Sequence, residues 1–268
     1  MINEAVLLEK RGTVAIVTLN RAEAGNAHDG KMGEALDATW AHLNAEDDIR
    51  VVILTGAGNR HFCTGADMKA ASAAAKPGFK GRGVTPWGDI PENFWKPVIC
   101  AINGAVAGGG WHFIWQSDFS IAVEQATFLE PHVSIGWVPV REMMGLANRA
   151  PLSVVLRMAF MGSAERMPAQ RAYELGIVTE LVSPDRLIPR AVEIAEVIAQ
   201  QAPLAVRAIK EVLHRAHELR FAQRDSFAYG DFMRRIVHRS EDFKEGPRSF
   251  AEKRKPVWKG KSGLPVEL

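Results

Sequence analysis

Apolar residues fall in short continuous runs through the first half of the chain and at helical intervals through the second. The runs 5–8 and 14–19 flank Arg11-Gly12 and read as two strands joined by a tight turn. Met32, Leu36, Trp40 and Leu43 share one face of a helix over 29–44. The segments 51–54 and 97–102 are apolar without alternation and partly β-branched, the pattern of buried strands. A helix is expected over 111–119, and two further strands over 119–123 and 126–129. From Pro151 onward the spacing predicts helices over 152–161, 168–175, 188–200 and 204–213, with one short strand over 178–182. Two more helices are expected over 217–238 and 240–253.

The stretch 74–95 follows neither pattern. It holds Pro77, Gly78, Gly81, Gly83, Pro86, Gly88 and Pro91, and reads as a mobile insertion of the kind that covers or shapes a site. Strand–helix alternation followed by helices alone predicts an α/β body over 1–200 and a helical part over 201–268.

Composition narrows the class. The 268 residues, 47% hydrophobic, can bury a sizeable core, and 33 basic against 31 acidic side chains leave a net charge of +2. That balance predicts no nucleic-acid partner. Cys63 and Cys100 make no disulfide framework and fit a reducing cytoplasm. The opening Met1-Ile2-Asn3-Glu4 lacks a basic n-region before an apolar run, so no signal peptide is expected. No window approaches the roughly 18 apolar residues of a membrane span. The expectation is a cytoplasmic protein with no membrane partner.

Two loops carry the candidate chemistry. Each follows an apolar run, contains glycine and enters a helix: Thr64-Gly65-Ala66-Asp67 and Gly108-Gly109-Gly110. Glycine at a helix start bares backbone N–H donors at the positive end of the helix dipole, which suits an oxygen gaining negative charge. It also lets a helix pack closely on its neighbours, so the triplet alone permits either role. Were the strands adjacent, the N–H groups of Ala66 and Gly109 would meet one carbonyl oxygen, as an oxyanion hole requires. Other motifs fail. Gly56-Ala57-Gly58 has His61 where a dinucleotide fingerprint needs its third glycine, and neither a phosphate-binding Walker loop nor a Gly-x-Ser-x-Gly elbow occurs. His61 and Cys63 lack a second ligand pair, so no metal is expected. The flanks of Cys63 are apolar, which argues against a nucleophile.

The runs 53–58, 62–68 and 101–110, followed by Arg166 to Ala172, Gly176-Ile177-Val178 and the tail 252–256, resemble the enoyl-CoA hydratase/isomerase (crotonase) family. The resemblance covers about residues 5 to 260. It implies a crotonase-like spiral of ββα units with a helical C-terminal trimerisation region, assembled as a homotrimer or dimer of trimers. It implies an acyl-CoA substrate whose carbonyl sits between the N–H groups of Ala66 and Gly109, with no cofactor beyond the CoA the substrate carries. The CoA would lie along Asn26, Ala27, Gly65, Asp67 and Met68, near Gly108, and approach Phe250 and Lys253, sometimes across a subunit boundary.

One departure from the family pattern matters most. Family hydratases carry a glutamate two residues after the glycine triplet and another in a Phe-x-x-Pro-Glu motif; this chain has His112 and, in Phe128-Leu129-Glu130-Pro131-His132, His132. Imidazoles titrate near neutrality and can serve as acid or base, and two close ones would resist sharing a positive charge. Glu142, in Pro139-Val140-Arg141-Glu142, is preferred over Glu130 as the carboxylate that fixes one tautomer; Glu130 reads as a solvated strand residue. Three readings follow: a hydratase or isomerase with His112, His132 and Glu142 catalytic; a C–C bond hydrolase of β-diketone or ring-cleaving type using histidine and a carboxylate; and a CoA-ester binding protein without turnover. Trp87, Phe94, Trp95, Trp111 and Trp137 either line a bulky acyl pocket or pack the core.

Overall fold

A computed structural model describes residues 4–74, 87–221 and 241–257, with the isolated positions 235, 238 and 239. The strand–turn–strand start is a hairpin of β1 (Val6–Arg11) and β2 (Val14–Leu19), and α1 (Gly30–Ala45) follows, capped by the Asp29 side chain accepting the Met32 N–H at 2.9 Å. Three ββα units then succeed one another. They are β3 (Val51–Gly56), β4 (His61–Cys63) and α2 (Met68–Ala74); β5 (Val98–Ile102), β6 (Ala105–Ala107) and α3 (Trp111–Gln116); and β7 (Phe119–Val123), β8 (Thr127–Leu129) and α4 (Val140–Ala147). The chain continues through α5 (Leu152–Met161), β9 (Met167–Pro168), α6 (Ala169–Glu174), β10 (Glu180–Val182), α7 (Leu187–Ala199) and α8 (Pro203–Phe221) to a C-terminal helix, Glu241–Ala251.

The first strand of each unit enters one sheet and the second strand enters another. The larger sheet runs β1-β2-β3-β5-β7-β10, parallel apart from the β1–β2 hairpin; the smaller runs β4-β6-β8-β9, parallel through β4, β6 and β8. This stepwise alternation is the spiral that the sequence resemblance implies. Its core is packed by fully buried aromatic rings: Phe62 meets Phe113 edge-on at 6.2 Å, Trp111 meets Phe128 at 5.4 Å, and Trp40 meets Phe94 at 5.4 Å. Trp111 and Phe94 are therefore core residues, and the Trp111 indole donates to the Leu129 carbonyl.

Several sequence boundaries shift. The three-residue strands β4 and β6 lie inside what reads as loop, because three residues are too few to show alternation. The helix expected to reach 119 ends at Gln116, where the Ser117 hydroxyl bonds back to the Phe113 carbonyl, and Phe119 opens β7. Residues 217–221 continue α8 rather than starting a new helix; residues 222–234 of that expected helix lie outside the described residues. So do 75–86 of the insertion and 258–268 of the tail. The rest of the insertion, 87–95, has no regular structure yet is packed: the Gly88 carbonyl accepts the Trp40 indole N–H and Phe94 is buried.

Parallel pairing of β4, β6 and β8 sets their C-terminal ends side by side, so the loops that leave them become neighbours. Gly110 shows how close that approach is, since a Cβ added there would lie 2.4 Å from the Cys63 carbonyl oxygen. Gly110→Ala should therefore lower stability by about 2–3 kcal/mol, the scale of overpacking, read as a fall in the urea midpoint at unchanged slope. An unchanged midpoint would show that this contact relaxes freely.

Candidate functional site

Three loops converge at the ends of β4, β6 and β8. Gly65 adopts φ +86°, which suits glycine, and a Cβ there would sit 2.9 Å from the Gly109 nitrogen, so the loops of Ala66 and Gly109 touch. The His28 N–H donates to the Gly65 carbonyl and the Asp67 N–H to the His28 carbonyl, which turns the Ala66 N–H away from this bridge. Gly109 is the second residue of a 3₁₀ turn, Gly108–Gly110, so its N–H is among the donors that intrahelical bonding leaves over. The expected pair of donors is thus brought together. Each glycine of the triplet answers a different demand. Gly108 takes φ +49° and lies against the His132 ring, Gly109 lies under the Trp87 indole, and Gly110 packs on Cys63.

His112 sits on the first turn of α3, buried, and both its ring nitrogens face carboxylates: Nδ1 is 3.2 Å from Asp89 Oδ1, and Nε2 is 3.2 Å from Glu142 Oε1. Trp87 stacks on it at 5.1 Å, 11° from parallel. His132 follows β8 and Pro131; its Nδ1 bonds tightly to Glu130, and its Nε2 lies 3.9 Å from the same Glu142 oxygen. Glu142 projects from the first turn of α4 and stands between the two imidazoles. Glu130 corrects the sequence reading: it is fully buried, on the inward face it shares with Phe128, where the His132 ring and backbone N–H give its carboxylate partners.

The charges support one another. Burial pulls the His112 imidazole down, but the Asp89 and Glu142 hydrogen bonds and charges outweigh it and lift its pKa to about 9. Burial likewise lowers His132, yet the Glu130 carboxylate and then Glu142 raise it overall. Glu142 is raised by burial and held at about 2 by its bond to His112 and the charge of His132 and His112. The repulsion expected between two imidazolium rings is thus offset by a carboxylate placed between them.

Other expected site residues have different occupations. The Asn26 side chain is buried and spent on Arg21 N–H and the Ala57 and His61 carbonyls. Asp67 caps α2 through the Lys69 and Ala70 N–H groups and pairs with Arg21 Nη2 at 2.9 Å. Arg21 Nη1 also holds the Ala27 carbonyl, so these residues brace the Ala66 loop. Met68 starts α2 beside that loop. Phe250 and Lys253 are exposed at the end of the C-terminal helix, which packs on the His132–Ile135 turn. Cys63 is buried, its thiol pushed up to about 12, which removes it as a nucleophile. Sequence reasoning missed Asp89, hidden in the patternless insertion, and His28, whose buried ring lies 4.4 Å from Trp87. Trp137 lies 5.9 Å from the His132 ring.

A family model for enoyl-CoA hydratase/isomerase matches residues 9–261. The chain belongs to the enoyl-CoA hydratase/isomerase family. It is an enzyme that processes acyl-CoA thioesters, as members of this family do. Among curated relatives, carnitinyl-CoA dehydratase of Proteus mirabilis is 37% identical over 270 residues, covering 97% of this chain and all of the relative. Among solved structures, carnitinyl-CoA hydratase from Mycobacterium avium superposes with a TM-score of 0.85 at 32% identity, covering 97% of this chain and 100% of that one. An enoyl-CoA hydratase/isomerase from Mycobacterium paratuberculosis is 39% identical with a TM-score of 0.72, covering 96% and 99%. Within the family fold, His112 and His132 occupy the two positions at which the sequence resemblance implies glutamates. Among the described residues, no helix is long and apolar enough to cross a membrane.

The buried charges predict a pH optimum of stability. His112, raised from 6.5 to about 9, adds stability that is complete below 6.5 and lost as pH rises towards 9. His28 is lowered to about 4, chiefly by burial, so it costs stability as pH falls below 6.5. Glu142 adds to that acid loss as pH falls from 4.5 towards about 2. Urea midpoints should therefore peak near pH 6.5, and His112→Gln should flatten the alkaline side. A wild-type midpoint that holds steady or climbs above neutrality would refute the assignment.

Proposed function

We propose that this enzyme adds or removes water across the Cα–Cβ bond of an acyl-CoA thioester, using His112, His132 and Glu142 for proton transfer. The observation that carries the reading is the carboxylate oxygen of Glu142, set between the Nε2 atoms of both histidines beside the Gly108–Gly110 turn. The thioester carbonyl would take the Ala66 and Gly109 N–H groups, which stabilise the enolate formed when the α-carbon loses or gains its proton. One imidazole activates or expels water at the β-carbon while the other serves the α-carbon, with Glu142 balancing the charge of each. Relatives named carnitinyl-CoA dehydratase and hydratase support hydration chemistry, and make carnitinyl-CoA a rational first substrate. No cofactor is required, since CoA arrives with the substrate.

The CoA would run past Ala27, Gly65 and Met68, with Asn26 and Asp67 bracing that path from behind. Phe250 and Lys253 would reach the CoA of a neighbouring subunit in a homotrimer or a dimer of trimers, with 201–268 as the assembly region over the 1–200 body. Leu152, Leu156 and Phe160, exposed in one row along α5, suit burial in such an assembly. The two free cysteines, both buried, suit a reducing cytoplasm. Light scattering should give a mass of three or six chains; a monomer at micromolar concentration would remove this part of the reading.

A second reading has one observation in its favour. Each histidine is backed by its own carboxylate, Asp89 or Glu130, an arrangement that strengthens an imidazole as a base towards water. Water attacking a β-carbonyl would cleave a carbon–carbon bond, and the same donors would hold the departing enolate.

One assay separates the two. Crotonyl-CoA, a longer 2-enoyl-CoA, carnitinyl-CoA and a cyclic β-ketoacyl-CoA are incubated with enzyme and followed by thioester absorbance and mass. Gain or loss of water with the carbon skeleton intact supports hydration or dehydration; gain of water with a cut C–C bond supports the hydrolase. No change in any ester would defeat both. His112→Ala and His132→Ala should each reduce kcat at least about 100-fold, the scale of acid–base groups.

A further inference from the structure

The insertion delivers one more charged group to the site, and its hydrogen bonds fix where the protons lie. The Ile90 backbone N–H, which can only donate, meets Gln116 Oε1 at 3.2 Å. Gln116 must therefore turn its amide N–H to Asp89 Oδ1, at 2.7 Å. The other Asp89 oxygen faces Arg141 Nη1 at 3.5 Å, again a group with protons only to give. Both Asp89 oxygens thus meet obligate donors, and His112, Gln116 and Arg141 outweigh burial to hold its carboxyl below the usual range, which favours an ionised acceptor and a proton on the His112 nitrogen beside it. Trp87, two residues before Asp89, stacks on the same ring and fixes its plane.

We propose that Asp89 is a positioning residue that locks a proton on His112 Nδ1, so that His112 exchanges its working proton through Nε2 alone, towards Glu142 and the reacting acyl group. The inference rests on the hydratase reading for the identity of the acyl group, but not for the proton lock itself. A neutral imidazole holds one proton, and without a fixed acceptor that proton is free to sit on either nitrogen. The wrong tautomer would leave Nε2 protonated when a base is needed there. Locking Nδ1–H makes Nε2 a lone pair in the neutral ring and a donor in the charged ring, the two states an acid–base group must alternate between. The charged and titratable groups around this ring are Asp89, Glu142, His132, His28 beyond Trp87, and Arg141 beyond Asp89. Gln116, on α3 with His112, belongs to the device because it holds Asp89 as an acceptor.

The test follows the ring directly. Imidazole ¹⁵N signals are recorded from pH 5 to 10 in the wild type, Asp89→Asn and Asp89→Glu, with His112 assigned by its loss in His112→Gln. In the wild type, Nδ1 should stay protonated while Nε2 alone titrates at alkaline pH. In Asp89→Asn the ring should lose at least about one pKa unit, a tenfold weaker hold on its proton, and show Nε2–H in the neutral form. At pH 7, kcat should fall at least about tenfold with KM nearly unchanged, and Asp89→Glu should recover most of the titration and the rate. Gln116→Leu, which leaves Asp89 in place but frees its orientation, should give an intermediate shift. The proposal falls if Asp89→Asn leaves the His112 tautomer and titration as in the wild type, even where activity drops, because that drop would then be structural. If the ring behaves as described but no acyl-CoA ester is turned over by the wild type, the lock stands and the hydratase reading fails.

Discussion

Parallel pairing among three very short strands is the constraint on which the site depends. β4, β6 and β8 contribute only a few ladder bonds, yet because they run in one direction they finish at one edge, and all three loops leave there. Ala66, Gly109 and His132 lie far apart along the chain and become neighbours only through this register. A strand running the other way would send its loop to the opposite edge. The spiral supplies the common direction, since every unit enters the large sheet, steps across to the small one and returns through a helix.

On that edge the backbone and the side chains divide the work. Backbone donors at Ala66 and Gly109 are set by loop geometry and by glycines that admit close approach. The side chains are set by electrostatics instead. Three carboxylates and two imidazoles alternate as Asp89, His112, Glu142, His132 and Glu130, and no member of the row would tolerate burial alone. Opposite charges on both sides of each ring make that burial possible.

Much of the backbone half is legible in the sequence. Apolar runs without alternation mark the strands of the large sheet, and glycine beside an apolar run marks both donor loops. His112 and His132 are readable once those loops are placed, since each stands at a fixed distance from a landmark. The side-chain half is less legible, for identifiable reasons. Glu130 follows Ala126 and Phe128 on the face that alternation turns inward, but its charge alone reads as solvated until His132, two residues on, is placed against it. Asp89 lies in a stretch rich in glycine and proline, where no periodicity assigns it a face. Asn26 and Asp67 stand beside the Ala66 loop, but their hydrogen bonds are consumed within the protein, a fact that depends on the position of Arg21. Tryptophans divide the same way: Trp111 packs the core and Trp87 borders the site, and composition alone cannot sort them.

The triplet at 108–110 has a consequence for variation. Its three glycines are chemically identical but guard three separate surfaces: an imidazole, an indole and a carbonyl of the adjoining strand. The indole arrives on the same stretch as Asp89, outside the ββα repeat, whereas the carbonyl belongs to the repeat itself. Scaffold and chemistry therefore meet along adjacent peptide units while remaining separately encoded. Evolution can redraw the insertion, and with it the carboxylate beside His112, without disturbing the glycine turn packed on the neighbouring strand.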